Sequence, residues 1–164
     1  MSYLTAICKE VLRLYSPVAV TIRVAINDTT ICGQPIPKGT TVMIPPWAVN
    51  ASTALWGDDA EDFRPERWLQ AKDRAIEALS AEGKEKKSTN YDFLTFLHGP
   101  RSCIGQSFAM GELACLVAAW VVAFDTRLRD SEMVIKVSGS ITAKPKDGLY
   151  VYVKPIGITA GGDI

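Results

Sequence analysis

The chain has 164 residues, 48% of them hydrophobic, with 18 basic and 18 acidic side chains. This apolar fraction is enough to build the core of one domain, so it excludes a disordered chain. The zero net charge argues against nucleic acid as a partner, because no basic excess is available to neutralise phosphates. Four scattered cysteines without a C-x-x-C pair predict reduced thiols in a cytosol-facing protein. A single histidine, His98, argues against a zinc site of the Cys/His kind.

The first predicted element is an amphipathic helix over residues 3–15, and it is not a secretory signal because it carries charged residues. Its apolar residues recur at helical spacing: Leu4, Ile7, Cys8, Val11, Leu12 and Tyr15. Pro17 ends this helix. Alternation from Val20 to Ile26 then predicts a strand that places Arg23 on the face opposite the valines.

Turn residues dominate the next segment. Gly33, Pro35, Pro37 and Gly39 separate short strands near residues 30–32 and 40–44, which together predict a small hairpin. A short helical piece is expected over residues 47–53, after two prolines. Residues 54–69 have no clean period, so we expect an irregular segment held by its aromatic side chains. Residues 71–89 are rich in Ala, Glu and Lys and predict a surface insertion.

The second half contains the most apolar helix of the chain, predicted over residues 106–124 after a loop at 93–105. Its continuous apolar run, from Leu113 to Phe124, is too short to span a bilayer and favours a buried helix. Alternating strands are expected over residues 132–154, around a hairpin turn at Lys146, Asp147 and Gly148. Residues 157–164 predict a frayed tail.

Residues 96–105, F-L-H-G-P-R-S-C-I-G, carry the clearest chemical signal. Cys103 lies where a loop enters the apolar helix, and the N–H groups and dipole of a helix N-terminus favour a thiolate. A thiolate is a strong, soft ligand for iron. Gly99 and Gly105 lack side chains, so a flat ligand could approach the backbone closely.

Two further side chains fit the same ligand. The forked guanidinium of Arg101 could bind a carboxylate, and Phe96 offers an aromatic wall that keeps water from the sulfur. The alternative for Cys103 is a buried structural cysteine, which is the usual place of a lone cysteine. Flanking glycines and a nearby arginine are not needed by such a residue, so the ligand interpretation is favoured.

The pattern F-x-x-G-x-R-x-C-x-G resembles the haem-ligand signature of the cytochrome P-450 family. E-V-L-R at residues 10–13 is similar to the family's E-x-x-R helix, G-Q-P-I-P-K-G at 33–39 to its G-x-x-I-P-K-G hairpin, and F-R-P-E-R-W at 63–68 to its F-x-P-E-R segment. The four motifs occur in the family's order, and the resemblance covers about residues 3–154. It implies the C-terminal portion of that fold, mainly α with small β-sheets (α+β), as one part of a single larger domain.

The resemblance also implies roles for individual residues. Cys103 is the axial ligand of haem b iron, with Arg101, Phe96, Gly99 and Gly105 around it. Arg23 pairs with a haem propionate; the alternative is a solvated strand arginine. Glu10, Arg13 and Arg67 form a buried structural triad; the alternative is a surface salt bridge worth under about 1 kcal/mol. The segment Val20, Thr21 and Ile22 and the turn at Ser140 and Ile141 are expected to line the substrate pocket, unless they only pack as strands. His98 is expected to be a loop residue near a propionate, and Leu97 stands where the family more often has a small or polar residue.

The activity implied by the resemblance is a monooxygenase that inserts one oxygen atom of O2 into an apolar organic substrate, with electrons from a reductase partner. Two alternatives remain open: a haem-thiolate isomerase or dehydratase, and a non-catalytic haem-binding fragment. Because the resemblance starts at the E-x-x-R helix, the 164-residue chain alone is expected to be inactive. The parent enzyme could be held at the endoplasmic-reticulum membrane by an N-terminal anchor outside this sequence.

Overall fold

The computed structural model describes residues 2–69, 91–139 and 142–157. The helices among them are α1 (Tyr3–Leu14), α2 (Pro46–Asn50), α3 (Thr53–Trp56) and α4 (Gln106–Ala123), with 3-10 turns at Pro65–Trp68 and Gly99–Arg101. The strands are β1 (Thr21–Val24), β2 (Thr29–Ile31), β3 (Gln34–Ile36), β4 (Thr41–Ile44), β5 (Phe124–Leu128), β6 (Val137–Ser138), β7 (Lys144–Pro145) and β8 (Val151–Pro155). Helices combined with small antiparallel sheets confirm the expected α+β class.

Helix α1 begins at a serine cap and is the centre of the first half. The hydroxyl of Ser2 accepts a hydrogen bond from the N–H of Thr5, which satisfies one free donor of the first turn. Its most buried side chains are Ala6, Cys8, Glu10 and Arg13, whereas the predicted apolar stripe is mostly half-buried. The face of α1 that enters the core is therefore centred on a charged pair.

The predicted hairpin between residues 30–32 and 40–44 is wrong. Strand β2 pairs with β3, and β4 pairs with β1 in the register Thr21 to Ile44. The reason is the two-residue turn between β2 and β3, because Cys32 and Gly33 both have positive φ angles, of 49° and 81°. This geometry turns the chain back at once, so the nearest strand becomes the partner.

The predicted hairpin around residues 146–148 is also wrong. The chain does turn there, with the N–H of Gly148 donating to the carbonyl of Pro145 at 3.5 Å. However, β7 on one side of this turn pairs with β6, and β8 on the other side pairs with β5. Strand β5 begins directly after α4, so residue 124 lies in a strand and not in the predicted helix. Strands β5 and β8 are both five residues long.

Helix α4 was predicted to be buried, and within the described residues it is not, because none of its side chains is buried. Exposed apolar residues occur all along it, including Phe108, Leu116, Val121 and Val122. A helix that is apolar on every side cannot cover itself with one contact face, and α4 meets mainly α1 and β5 here. By length and composition alone its 18 residues could also cross a membrane, a criterion that core helices of soluble proteins meet as well.

The core of the first half is largely polar. Ala6, Cys8 and Ala60 are buried, but the largest fully buried side chains include Arg13, Glu10 and Asn50. Every buried side-chain nitrogen or oxygen among the described residues has a hydrogen-bond partner. This part of the fold is therefore organised by hydrogen bonds as much as by apolar contact.

All four cysteines are free thiols. Three of the sequence predictions lie outside the described residues: the insertion at 71–89, the pocket turn at Ser140 and Ile141, and the tail beyond residue 157.

Candidate functional site

The loop that precedes α4 is closed by a backbone hydrogen bond between its two ends. The N–H of Cys103 donates to the carbonyl of Phe96 at 2.8 Å, and the N–H of Gln106 donates to the carbonyl of Cys103 at 3.3 Å. Between them the chain makes a 3-10 turn at Gly99–Arg101, where Gly99 has a φ of 73° that suits glycine. The position of Cys103 is thus tied to both Phe96 and the start of α4.

The thiol of Cys103 lies at the surface beside a helix N-terminus. Gly105 is the N-cap residue of α4, and a Cβ atom added there would lie 3.8 Å from the sulfur. In the described part of the chain, the N–H groups of Ile104 and Gly105 donate to no acceptor. The exposed sulfur and these N–H groups therefore leave this side of the loop open to a group that approaches from the solvent.

Leu97 adopts a left-handed backbone conformation, with a φ of 58°. This conformation costs a residue with a Cβ atom about 1–2 kcal/mol, and glycine avoids the cost. The backbone at Leu97 therefore favours glycine, which gives a physical reason why leucine is unusual at this position.

The other predicted residues contribute one charge and two rings to the loop before Cys103. Arg101 is exposed and makes no hydrogen bond or ion pair with any residue that the structure describes. His98 is exposed, and its ring centroid lies 5.3 Å from that of Tyr91. Phe96 is half-buried and contacts Phe93 edge-on at 6.3 Å. Arg101 is thus available to an anionic group, and Phe96 is held by a second aromatic ring.

The predicted pocket residues lie on β1 and the segment before it. Arg23 is half-buried, and its Nη1 donates to Thr21 Oγ1 at 3.0 Å and to the carbonyl of Ile22 at 2.8 Å. Val20 and Ile22 are exposed, with 42% and 54% of their surface accessible. The roles of these residues toward haem and substrate stay predictions.

An apolar cavity of about 530 Å³ lies between the C-terminal end of α1 and the β6–β7 hairpin. Its lining includes Leu14, Tyr15, Trp47, Ile135, Val137 and Leu149. The residues Val20, Thr21 and Ile22 are not part of this lining, although the neighbouring Ala19 is. The hairpin is attached there by a hydrogen bond of 2.7 Å from the N–H of Ala143 to the carbonyl of Pro17.

Glu10, Arg13 and Arg67 come together in one cluster, in which Glu10 and Arg13 are fully buried and Arg67 is half-buried. We call it the carboxylate cluster, with Trp68 and Arg64 included. Oε1 of Glu10 accepts hydrogen bonds from Arg13 Nη2 at 2.9 Å, Arg67 Nε at 2.8 Å and the backbone N–H of Arg64 at 3.0 Å. Oε2 accepts from Arg13 Nε at 2.9 Å and from the indole of Trp68 at 2.8 Å. One carboxylate therefore joins α1 to the segment at residues 64–68.

The second arginine charge in this cluster is offset by carbonyl oxygens. Arg13 Nη1 donates to the carbonyls of Asn50 and Ala60, and its Nη2 also donates to that of Asp62, at distances of 2.7, 2.6 and 3.2 Å. Arg67 donates to the carbonyl of Asp59 at 3.0 Å. Buried charges are tolerated only when their remaining hydrogen-bonding capacity is filled, and these carbonyls fill it.

The pKa of Glu10 is lowered from its ordinary value. Burial alone would raise the pKa of this carboxyl, but hydrogen bonds from Arg13, the Arg64 backbone and Trp68, together with the charge of Arg13, outweigh the burial. The pKa of Asp59 is lowered in the same way, with burial opposed by its hydrogen bond to Arg64 and by the charges of Arg67 and Arg64. Both carboxylates are therefore ionised at neutral pH, which excludes Glu10 as a general acid there.

Three residues of this region were not predicted from the sequence to have a role. Trp68 supplies a hydrogen bond to Glu10 that a phenylalanine could not make. The side chain of Asn50 donates to Thr95 Oγ1 at 2.7 Å and accepts from the N–H of Leu94 at 2.9 Å. The place of Trp68 in the F-R-P-E-R-W segment was an available signal, whereas nothing in the sequence distinguishes Asn50 or Thr95 from surface polar residues.

The comparison with known proteins gives the class to which this fold and site belong. The family model "Cytochrome P450" matches residues 1–152, and the chain belongs to this family. It is similar to the cytochrome P450 monooxygenase sphH of Aspergillus fumigatus, with 47% identity over 159 residues that make up 95% of this chain and 27% of that protein. It is also similar to the cytochrome P450 monooxygenases buaD of Petromyces alliaceus, at 40% identity over 92% of this chain and 28% of that protein, and ptmK of Penicillium ochrochloron, at 39% over 93% and 29%. The chain thus spans less than a third of the length of these relatives.

Proposed function

We propose that Cys103 is the axial thiolate ligand of a haem b iron and that this chain is the haem-binding portion of a monooxygenase. The supporting observation is the exposed sulfur of Cys103 beside the start of α4, with no side chain at Gly105. The N–H groups of Ile104 and Gly105 beside it have no acceptor among the residues that the structure describes. Within the described residues, no three His, Cys, Asp or Glu side chains cluster around a metal position. One thiolate suits a metal whose other ligands come from a macrocycle.

The remaining residues of the loop would hold the haem around this ligand. Arg101, which has no ion-pair partner among the described residues, suits a propionate. Arg23 uses Nη1 within its own strand, and its other two guanidinium nitrogens donate to no described residue, so a second propionate contact is compatible with its geometry. Phe96 would shield the sulfur from water, and Gly99 would allow the loop to approach a flat ring.

The carboxylate cluster has a structural role in this proposal. Glu10 is fully buried and saturated with hydrogen bonds, so it cannot exchange protons with a substrate. It holds α1 against residues 64–68, and through Asn50 this unit touches the loop before Cys103. The cluster therefore fixes α1 and residues 64–68 relative to each other, and the loop before Cys103 is held against this unit.

For the whole protein, we propose insertion of one oxygen atom of O2 into an apolar organic substrate, with electrons supplied by a reductase. Bound haem would supply the oxygen chemistry, and the protein would supply ligation, orientation and exclusion of water. The described residues would contribute Cys103, its surroundings and, at β1, the pocket segment Val20, Thr21 and Ile22. Attachment to the endoplasmic-reticulum membrane, facing the cytosol, is part of the same proposal.

The exposed apolar surface of α4 supports a larger parent domain. Phe108, Leu116, Val121 and Val122 are each more than 60% accessible. Uncovered apolar side chains in such number on one helix mark a surface that another part of a protein covers. The chain also spans less than a third of its relatives, so we propose that it forms one portion of a single larger domain.

The experiment is a difference spectrum of the reduced, carbon-monoxide-bound protein, recorded for the complete coding sequence and for residues 1–164 with added haem. We expect the long-wavelength Soret band of thiolate ligation in the complete protein and its loss in Cys103→Ser. Cys115→Ser is the matched control, because Cys115 is also exposed but lies within α4, away from the loop.

The outcomes separate the alternatives. Loss of the band in Cys115→Ser but not in Cys103→Ser would show that the ligand assignment is wrong. Substrate hydroxylation that requires a reductase supports the monooxygenase, and rearrangement of a peroxide without external electrons would show an isomerase or dehydratase. Haem binding without turnover of either kind would show a non-catalytic fragment. Hydroxylation by residues 1–164 alone would contradict the expected inactivity of the isolated chain.

A further inference from the structure

Asn50 lies at the end of α2, fully buried between α1 and the segment that leads to the ligand loop. Both polar atoms of its carboxamide form hydrogen bonds with the adjacent residues Leu94 and Thr95. Oδ1 accepts from the N–H of Leu94 at 2.9 Å, and Nδ2 donates to Thr95 Oγ1 at 2.7 Å. Two bonds to adjacent residues fix both the position and the rotation of this stretch. A single bond would leave it free to pivot.

Thr95 passes this connection on to α1. Its hydroxyl accepts from Asn50 and donates to the carbonyl of Leu12 at 2.8 Å. Leu12 is in the last turn of α1, where carbonyls have no partner within the helix. The orientation of the Thr95 hydroxyl is therefore fixed, because its oxygen accepts from Asn50 and its hydrogen points to the Leu12 carbonyl. Thr95 is 9% accessible, so little water competes for these bonds.

The next residue along the chain carries the connection to Cys103. Phe96 follows Thr95 directly, and its carbonyl accepts the N–H of Cys103 at 2.8 Å. Asn50 is joined on its other side to the carboxylate cluster, because its own carbonyl accepts from Arg13 at 2.7 Å. A continuous series of bonds thus runs from Arg13 through Asn50 and Thr95 to the loop that carries the sulfur.

We infer that Asn50 and Thr95 are positioning residues that set the place of Cys103 relative to α1, and so maintain its thiolate as an iron ligand. This inference rests on the proposed haem-thiolate function. The cluster around Glu10 also meets this segment through a ring contact, with Trp68 5.0 Å from Phe93. Among the hydrogen bonds described, those of Asn50 and Thr95 join α1 to the loop of Cys103. Loss of either side chain would let the loop shift while α1 stays intact.

The test uses the protein expressed from its complete coding sequence, with three variants of the bonded residues and one control variant. Thr95→Val keeps the shape but leaves Asn50 Nδ2 and the Leu12 carbonyl without partners. Asn50→Asp keeps the acceptor for Leu94 but would turn the Thr95 hydroxyl toward the new carboxylate and away from Leu12. Thr95→Ser keeps every hydrogen bond. Thr30→Val, on the exposed strand β2, is the control for exchanging a hydroxyl for a methyl group.

Two measurements are made on each variant. The carbon-monoxide difference spectrum gives the ratio of thiolate-ligated to thiol-ligated haem, and we expect Thr95→Val and Asn50→Asp to lower it on the order of tenfold. Hydrogen exchange of the peptide covering residues 93–105, without haem, should be about tenfold faster in the same two variants. Thr95→Ser and Thr30→Val should match the unchanged protein in both.

Each result decides the inference. Unchanged spectra and exchange in Thr95→Val and Asn50→Asp would overturn it. If Thr95→Val does not fold, Asn50→Asp and the unchanged protein still serve, because rapid exchange of the Leu94 and Cys103 amides in the latter would also overturn it. If the unchanged protein lacks thiolate ligation, the proposed function fails, and the exchange data alone show whether Asn50 and Thr95 position the loop.

Discussion

The indole Nε1 of Trp68 donates a hydrogen bond of 2.8 Å to Oε2 of Glu10, 58 residues earlier in the chain. It complements the bond from Arg13 Nε to the same oxygen, while Oε1 receives bonds from Arg13, Arg67 and the Arg64 backbone. The ring of Trp68 also lies 5.3 Å from that of Trp56 and 5.0 Å from that of Phe93. Trp68 thus joins the carboxylate cluster to the aromatic residues that reach Phe96.

Trp68→Phe tests the hydrogen bond separately from the aromatic packing. A phenyl ring keeps the contacts with Trp56 and Phe93 but leaves Oε2 of Glu10 with one donor fewer. We expect the free energy of unfolding to fall by about 1.5–3 kcal/mol, the range for hydrogen bonds to charged groups. Urea denaturation measures it, and Trp47→Phe, at a half-exposed indole outside the cluster, should cost less. Equal losses would show that the bond from Trp68 adds no stability.

Glu10→Gln tests the pH dependence that the lowered pKa implies. Because the pKa of Glu10 in the folded chain is below its ordinary value of 4.5, the stabilisation is complete above that value and is lost as pH falls through the lowered pKa. At neutral pH the variant should lose about 3–5 kcal/mol, since the buried Arg13 and the half-buried Arg67 lose their anion. Its stability should then decline less steeply below pH 4.5.

Thermal unfolding at a series of pH values measures both effects. Glu61→Gln, at an exposed carboxylate, is the matched control and should follow the unchanged protein. Some acid sensitivity should remain in Glu10→Gln, because Asp59 also has a lowered pKa. A variant as acid-sensitive as the unchanged protein would contradict the assignment of the main effect to Glu10.

Arg67→Lys tests whether the fork of the guanidinium matters beyond its charge. Arg67 uses Nε for Glu10 and Nη2 for the carbonyl of Asp59, two directions that one ammonium cannot reproduce at the same positions. We expect a loss of about 2 kcal/mol by chemical denaturation. Arg64→Lys is the comparison: this side chain is half-exposed in its ion pair with Asp59 and should cost under about 1 kcal/mol. The reverse order would be contrary to the burial argument.

Leu97 tests the cost of the left-handed backbone before the ligand loop. Leu97→Asn and Leu97→Thr both remove apolar contact, but asparagine tolerates a φ of 58° and the β-branched threonine does not. We expect Leu97→Thr to be less stable than Leu97→Asn by about 1 kcal/mol, as measured by urea denaturation. Two variants of equal stability would show that the conformation is not maintained in solution.

Local pattern in the sequence was enough for the two long helices, α1 and α4, and for the family. It missed α3, because residues 54–69 were expected to be irregular. The spacing of apolar residues gave α1 within one residue of its observed end, and the motif at residues 96–105, with the other three, indicated a family that the comparison confirms. Helical periodicity, turn residues and a short loop motif can be predicted from the sequence because each depends only on residues that are close together in the chain.

Strand partners and burial were decided by the tertiary structure. A turn with positive φ at Cys32 and Gly33 assigned β3 to β2, and β8 found its partner in β5 rather than across the turn at residue 147. The partner of a strand depends on which other strand lies beside it in space. The alternation of apolar and polar residues along a strand does not encode this. For the same reason the sequence predicted a buried α4, although the neighbours described here leave it exposed.

The polar core shows most clearly which features the sequence determined and which ones the tertiary structure decided. The sequence by itself determined that Glu10 and Arg13 share one face of a helix, because they are three residues apart. Only the tertiary structure decided that Asn50 and Thr95, 45 residues apart, meet and join that helix to the loop of Cys103. A buried amide or hydroxyl must find a partner wherever the fold provides one, and its sequence neighbours give no sign of where that is.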